Sequence, residues 1–595
     1  MSLFMQLNQQ QLDSKLEFIN NYIQPANAAD VSLVDANANI AHKNVATLAQ
    51  EIHKDINVQL NRALMTGKIR ELFGEELAVE YIRQLDAHEI YKHDETHPFF
   101  PYCASITMYP FLLHGLTTLG GESRAPKHLD SFCGSFVNLV FAVSAQFAGA
   151  CGTPEFLLYF DYFARRDYGA DYLNTHRAEV ANHLQHVVYA LNQPAAARGY
   201  QSIFWNISVF DRYFLESLFA EFIFPDGEKP DFTSVLKLEE FFLDWFNQER
   251  TKAILTFPVV TSAMLTANHQ PKDQEFAQMC ATQMSLGNSF FIYMSESVDS
   301  LSSCCRLRNE LTDNTFSNTS GAGGVATGSI NVITLNMHRL IAEKRDLASE
   351  IHKIHKYHVA YRKIIEGFLA ADLLPVYAAG YISIKKQFLT IGINGLLEAA
   401  EAVGIKASNN PEYKKFIQDN LKIIYTANKE ANRKYGYLFN TEFVPAENLG
   451  VKNAKWDREA GYDITRSCYN SYFYPVEDDS VNAVDKFILH GREINQYLDG
   501  GSALHLNTDG YLTVDGYLKL FNLAAKTGCN YWTTNVKVTY CCDCNTINKL
   551  TLDACPECES TNVKYATRVI GYLKLIDNFS KDRRIEEKLR HYHRM

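Results

Sequence analysis

Four cysteines near the C-terminus, Cys541-x2-Cys544-x10-Cys555-x2-Cys558, have the spacing with which two CxxC knuckles wrap one tetrahedral Zn²⁺ from both sides. Shortly after them runs Thr567-Arg568-Val569-Ile570-Gly571-Tyr572. A lone glycine between Ile570 and Tyr572 is by default a turn residue. Glycine is also the residue that best tolerates a backbone Cα radical. The amide nitrogen donates, the carbonyl withdraws, and no side chain clashes as the centre flattens. Cys304 and Cys305 sit beside Arg306 and Arg308. Neighbouring cations favour a reactive thiol, whereas most free cysteines are buried small hydrophobes. Cys103 lies in Pro98-Phe99-Phe100-Pro101-Tyr102-Cys103-Ala104-Ser105, a turn-to-strand context in which a core role is the default. Glu447, in Pro445-Ala446-Glu447-Asn448-Leu449, reads as an acidic residue in the first turn of a helix, stabilised by the dipole.

These groups need a large scaffold, and the chain can supply one. It has 595 residues, 47% of them hydrophobic, enough for two to four domains or one large barrel. Residues 1–66 contain no glycine and repeat apolar side chains at helical spacing (Val45, Leu48, Ile52, Ile56), with N-cap candidates in Asp35-Ala36-Asn37-Ala38-Asn39. From about residue 68 to 250 the pattern is mostly helical. Strand-length apolar runs follow at 253–260, 290–294 and 330–335, the last preceded by a polar, Gly-rich loop at 314–329. Helices are expected again from 338 to about 401, and a strand–helix mixture from there to about 526. No internal repeat or low-complexity linker interrupts this, so one α/β body with a small cysteine-rich appendix is the simplest organisation. The expected boundaries are 1–526 for the body with its N-terminal helical region, 527–565 for the knuckle, and 566–595 for the glycine loop and tail.

Bulk properties exclude several classes. A formal charge of −11 argues against a protein that binds nucleic-acid phosphates. Thirteen cysteines in this length are too few for a secreted disulfide scaffold, and the adjacent pairs Cys304-Cys305 and Cys541-Cys542 suit a reducing compartment. The first residues lack the basic and apolar regions of a signal peptide. The most apolar stretch, residues 136–152, is too short and too interrupted to span a bilayer and reads as a buried helix. A cytoplasmic protein is expected.

The run around Gly571 resembles the radical loop of glycyl radical enzymes. Its position thirteen residues beyond a cysteine knuckle resembles one branch of them, the anaerobic (class III) ribonucleotide reductases. The likeness extends from about residue 35 to 580. It includes 88–94, Val332-Ile333-Thr334-Leu335-Asn336, the Pro-Ala-Glu-Asn run at 445–448, Tyr469-Asn470-Ser471 and Gly500-Gly501-Ser502-Ala503-Leu504-His505. It implies a ten-stranded α/β barrel of the glycyl radical enzyme type, with a helical surround and a small C-terminal zinc knuckle. It implies a radical stored on Gly571, a thiyl on Cys305 at the tip of a finger loop with Cys304 as its neighbour, a second cysteine at Cys103 on the other face of the ribose, and Glu447 pointing into the active site. The reaction implied is reduction of ribonucleoside triphosphates to deoxyribonucleoside triphosphates for DNA precursor synthesis.

The same resemblance implies a homodimer, dNTP or ATP effectors, and a separate activase that uses S-adenosylmethionine and an iron–sulfur cluster to make the radical. The family's N-terminal nucleotide-binding cone does not resemble the glycine-free opening, so dATP shut-off through it is not expected. Formate-using members carry a Met two residues before the thiyl cysteine and an Asn in the next loop. Ser303 and Ser329 stand at those places, which favours a thioredoxin- or glutaredoxin-type reductant over formate. Two other readings compete: a formate-lyase-like acyltransferase, opposed by the knuckle and Cys103, and a non-enzymatic zinc-ribbon protein, opposed by the size and acidity of the body. Three further patterns read as incidental. Gly321-Ala322-Gly323-Gly324 does not follow a clear strand. His352, His355 and His358 alternate with lysines and read as a solvated helix face. Residues 581–594 read as an exposed helix.

Overall fold

The computed structural model describes residues 7–24, 30, 32, 43–194, 201–288, 290–298, 326–444, 448–464, 466–568 and 571–594, and the backbone of 300–302 and 308–310. Ten strands lie on one hydrogen-bonded path: Leu438–Glu442, Gln387–Asn394, Thr327–Asn336, Cys103–Ser105, Cys151–Gly152, Trp205–Phe210, Val259–Ala267, Phe291–Ser295, Tyr531–Asn535 and Leu504–Asn507. The five from Cys103 to Ser295 are parallel to one another. So are the three from Thr327 to Glu442, and the last two. The path closes where Glu442 forms a parallel bridge with Gly501, three residues before Leu504. Gly500 N–H there donates to the Thr441 carbonyl (2.8 Å) and Phe443 N–H to that of Gly501 (3.1 Å).

The result is two parallel halves of five strands, antiparallel to each other at two seams: Cys103–Ser105 against Thr327–Asn336, and Phe291–Ser295 against Tyr531–Asn535. The expected ten strands become a twelve-stranded sheet because two short ones add on antiparallel, Ile90–Lys92 to Thr327–Asn336 and Gln270–Pro271 to Val259–Ala267. Connections between neighbouring parallel strands demand crossovers. Helices such as Leu129–Ser144, Phe156–Tyr168, Phe232–Glu249, Leu347–Ala370 and Pro411–Tyr435 supply them. Thr327–Asn336 and Gln387–Asn394 are buried at every position, as strands covered on both faces must be. Asp211, Asp231, Asp273 and Asn410 mark where helices start, each accepting a backbone N–H of the first turn.

Several sequence expectations change. The region 68–250 is helix-rich but contains four sheet strands, three of them only two or three residues long. Runs that short carry no readable periodicity. The helix expected over 136–152 is Leu129–Ser144, and the run ends in the strand Cys151–Gly152. The first strand after residue 250 is Val259–Ala267, not 253–260, because the chain enters the sheet only after Pro258. Gln387–Asn394 is a strand inside a stretch read as helical.

His355 and His358 are buried, and only His352 faces solvent. His355 bonds Asn428 (2.8 Å) and His358 bonds Asn331 (3.2 Å), so this helix face packs on the sheet. The C-terminal helix, Lys581–Leu589, buries Arg583, Glu586 and Glu587. No helix among the described residues is long and apolar enough to cross a membrane.

The knuckle is a separate four-stranded sheet, in the order Ile547–Asn548, Val538–Cys541, Val563–Arg568, Leu573–Leu575. The barrel strand Tyr531–Asn535 lies beyond the boundary expected at 526, and Val563–Arg568 runs across that expected at 565.

Candidate active site and thiol cluster

The Sγ atoms of Cys541, Cys544, Cys555 and Cys558 all lie within 4.8 Å of one another. Two cross-knuckle pairs, Cys541–Cys558 and Cys544–Cys555, are 3.6 Å apart. A tetrahedral ion with four Zn–S bonds needs sulfurs about 3.8 Å apart, so the donor set fits. Each knuckle repeats one backbone design. The N–H of the first cysteine donates to the residue five on (Cys541 to Thr546, 3.0 Å; Cys555 to Ser560, 2.8 Å), and the residue four on donates back. That fourth residue takes a left-handed conformation in both, Asn545 at φ 61° and Glu559 at φ 59°. The Thr546 hydroxyl and N–H lower the Cys544 thiol, whereas its neighbouring cysteines raise that of Cys558; a metal would bind all four as thiolates. Cys542 and Cys529 stay outside the cluster, as expected.

Gly571 sits in the loop of a hairpin. Val563–Arg568 pairs antiparallel with Leu573–Leu575, and Arg568 opposes Leu573. Gly571 and Tyr572 are buried. The Tyr572 ring meets Phe204 edge-on at 5.2 Å and Phe257 at 6.0 Å, residues just ahead of two strands of the first half. Asn535, the last residue of its barrel strand, accepts from Thr567 Oγ1 (2.9 Å) and Arg568 N–H (3.2 Å) and donates to Asn507 (2.8 Å). Thr256 Oγ1 donates to the Leu573 carbonyl (3.1 Å). The hairpin is thus rooted in the knuckle and pinned at its tip to the barrel.

Cys103 is buried at the seam, paired with Ser329 of the opposite half. Close approach here requires glycine: a Cβ on Gly328 would overlap the Cys103 carbonyl oxygen. The register Ala104–Cys151–Trp205 places Cys103 level with Phe204, the residue whose ring touches Tyr572. Cys103 and the Gly571 loop therefore share one end of the first half. Ser329, expected in a loop, is in a strand, bonded to Thr390 Oγ1 (2.9 Å) and the Phe388 carbonyl (3.3 Å).

Cys304, Cys305 and Glu447 lie outside the described residues. Their flanks do not. The segment 296–326 links Phe291–Ser295 to Thr327–Asn336, strands five places apart on a closed ten-strand path. Within that segment Ser300–Ser302 and Arg308–Glu310 pair as an antiparallel ribbon that brackets residues 303–307. The helix after Glu447 is Leu449–Glu459 with Asn448 as its N-cap residue, so the helix begins two residues later than the first-turn reading of Glu447 required. Ser580, from the tail beyond Gly571, donates to Asn448 Oδ1 (2.9 Å).

One polar network was missed in the sequence. Asp457 is fully buried and accepts from Asn336 Nδ2 (2.9 Å), Arg339 Nη2 (2.6 Å) and Tyr469 OH (2.7 Å), with His338 Nδ1 at 3.2 Å. Burial alone would raise its carboxyl; the bonds from His338, Tyr469 and Asn336 and the Arg339 charge outweigh that and hold it below the usual range. The available signal was Asn336-x-His338-Arg339, three polar residues straight after an apolar strand. Arg568 was passed over as part of a motif, yet it is buried and its Nη1 donates to the Gly571 carbonyl at 2.7 Å.

A sequence profile of the family described as anaerobic ribonucleoside-triphosphate reductase matches residues 51–593. No match was found among curated proteins. Among solved structures, an anaerobic ribonucleotide reductase is similar at a TM-score of 0.86 and 24% identity, over 98% of this chain and 93% of that one. Two structures of the Thermotoga maritima anaerobic ribonucleotide reductase are each 25% identical. The one with dATP bound in the specificity site has a TM-score of 0.83 over 96% of this chain and 94% of that one. The one with glycerol in the active site has 0.85 over 97% and 94%. The profile spans both barrel halves, the seam at Cys103, the thiol cluster and the Gly571 hairpin, and the chain belongs to the anaerobic ribonucleoside-triphosphate reductases, oxidoreductases that make deoxyribonucleoside triphosphates.

Proposed function

We propose that this chain reduces ribonucleoside triphosphates by relaying an unpaired electron from Gly571 through Cys305 to the ribose. The observation that carries the assignment is the shared position of two chemically apt groups. Gly571 is buried in a pinned hairpin at the end of the barrel half that also holds Cys103, and the two strands that flank the Cys305 segment in sequence, Phe291–Ser295 and Thr327–Asn336, lie five places apart on the closed ten-strand path. The Cys305 S–H gives its hydrogen atom to the Gly571 Cα, leaving a thiyl. The thiyl takes the ribose 3′ hydrogen. The 2′ hydroxyl leaves as water after gaining a proton. Cys103 then gives a hydrogen atom to C2′ and becomes a thiyl; one sulfur of an external dithiol bonds to it, and the electron and proton released reduce the 3′-keto intermediate. Cys305 returns the 3′ hydrogen, and the second thiol of the dithiol frees Cys103 as S–H, leaving the dithiol oxidised to its disulfide. Glu447 is assigned as the polar partner of the sugar hydroxyls. Burial of Gly571 and Cys103 keeps water and oxygen from the radical.

The four thiolates would hold Zn²⁺, whose chemistry here is to fix the two knuckles and so the root of the hairpin. A radical S-adenosylmethionine activase with an iron–sulfur cluster removes the Gly571 hydrogen. The T. maritima structures with dATP support dNTP or ATP effectors for this chain. A homodimer, a cytoplasmic setting and a thioredoxin- or glutaredoxin-type reductant complete the reading, with Ser303 and Ser329 standing against formate. The test is electron paramagnetic resonance on protein activated under strict anoxia, alongside a CTP-reduction assay. A doublet and dithiol-supported turnover are expected in the wild type, and neither in Gly571→Ala. A doublet that survives in Gly571→Ala sinks the assignment.

A further inference from the structure

Arg568 occupies an unusual place for a guanidinium. It is buried, its planar head lies 4.8 Å from the Phe291 ring centre, and its Nη1 donates to the Gly571 carbonyl oxygen at 2.7 Å. Its own backbone is fixed from three directions. Asn535 Oδ1 accepts its N–H, Leu573 pairs with it across the hairpin, and Arg590 Nη1 donates to its carbonyl at 2.9 Å. Arg590 is held in turn by two bonds to Glu586, 3.0 and 2.9 Å, on the C-terminal helix. Burial pushes the Arg568 pKa down to about 9, with the Arg250 charge adding to the push, so the group remains a cation at neutral pH.

We propose that Arg568 is a positioning residue for the radical, donating a charge-assisted hydrogen bond to the carbonyl of Gly571. The inference rests on the assignment of the radical to Gly571. Spin on a glycyl Cα spreads onto the adjacent carbonyl oxygen, and a cationic donor aimed at that oxygen stabilises the delocalised form and keeps the peptide flat. A neutral donor does this more weakly, because charged hydrogen bonds are roughly twice as strong as neutral ones. The same contact fixes which way the Gly571 carbonyl points, and so the direction of the Cα–H bond that exchanges its hydrogen with sulfur. No new electron or proton transfer is involved: Arg568 keeps its protons throughout.

The test uses full-length protein grown with guanidino-¹⁵N arginine, activated anoxically and examined by electron–nuclear double resonance at the radical signal. A ¹⁵N coupling is expected in the wild type. It is expected to vanish in Arg568→Lys while the doublet persists, with the steady radical level about tenfold lower. A wild-type radical with no guanidinium coupling overturns the proposal without any variant having to fold, and so does a coupling that survives in Arg568→Lys. If Arg568 were merely structural, the folded Arg568→Lys protein would keep the wild-type radical level. By contrast, a doublet that persists in Gly571→Ala would remove the radical assignment itself, a failure the labelling result cannot mimic.

Discussion

The barrel and the knuckle are held together by different forces. One continuous apolar core runs through the barrel, with Trp205, Trp532, Tyr159 and Tyr293 almost completely buried. Among the described residues the knuckle buries a small second cluster, Val538, Ile547 and Ala566, with Ile254, Tyr540, Leu573 and Leu575 packed against it. A core that small does not outweigh the entropy of ordering its strands, so a metal held by the four cysteines would act as the staple. The Gly571 hairpin spans this divide. Its strands belong to the knuckle, while Tyr572 and Phe579 pack into the barrel core. A rigid tip on a root stapled by a metal would place a backbone atom accurately while leaving one discrete element by which the loop could be released.

Removing the metal should break the comparison most sharply. Structural zinc contributes about 10 kcal/mol or more to folding small sites. Stripping it with a chelator, or Cys541→Ser, should abolish hydrogen-exchange protection across residues 538–575 while Val259–Ala267 and Thr327–Asn336 keep theirs. Equal loss in both regions would mean the barrel depends on the knuckle. Asp457→Ala acts on the other side of the divide. It leaves Arg339 and His338 buried without their carboxylate, at a cost of about 3–5 kcal/mol. Calorimetry should show the barrel transition falling with metal content unchanged. Gly328→Ala forces a methyl into the Cys103 carbonyl at the seam and should cost about 1–3 kcal/mol, read in the same melt. A neutral result would show that the seam yields easily.

The last effect is a titration. Glu155 is buried, bonded by Met108 N–H (2.8 Å) and Thr107 Oγ1, and burial raises its pKa from 4.5 to about 7. The folded barrel therefore keeps a proton that the unfolded chain releases. The associated stabilisation is present below pH 4.5 and is lost as pH rises through 7, roughly 3 kcal/mol in full. Melting temperatures between pH 5 and 8 should flatten in Glu155→Gln, and an unchanged slope would assign the pH dependence elsewhere.

The knuckle was legible in the sequence because its ligands lie within eighteen residues and their spacing is itself the geometry. Gly571 stands out in the sequence because a motif carries it, and the structure buries it in a hairpin loop. The two five-stranded halves were not legible. Cys103–Ser105 and Cys151–Gly152 are too short to show alternation, and the antiparallel seams join residues more than two hundred positions apart. The buried histidines deceived for a related reason. His355 and His358 alternate with Lys353 and Lys356 along the chain, but a helix places them on the face that packs against the sheet. Arg568 was hidden inside the motif that named its neighbour, since no spacing rule states where a guanidinium points.

The central claim is that the unpaired electron resides on the backbone of residue 571. Protein grown with glycine deuterated at Cα and activated under anoxia tests it without altering the sequence. The doublet from the single remaining Gly571 α-hydrogen should collapse to a narrow singlet, and return with unlabelled glycine. A splitting that is indifferent to glycine deuteration would place the radical elsewhere and contradict the account.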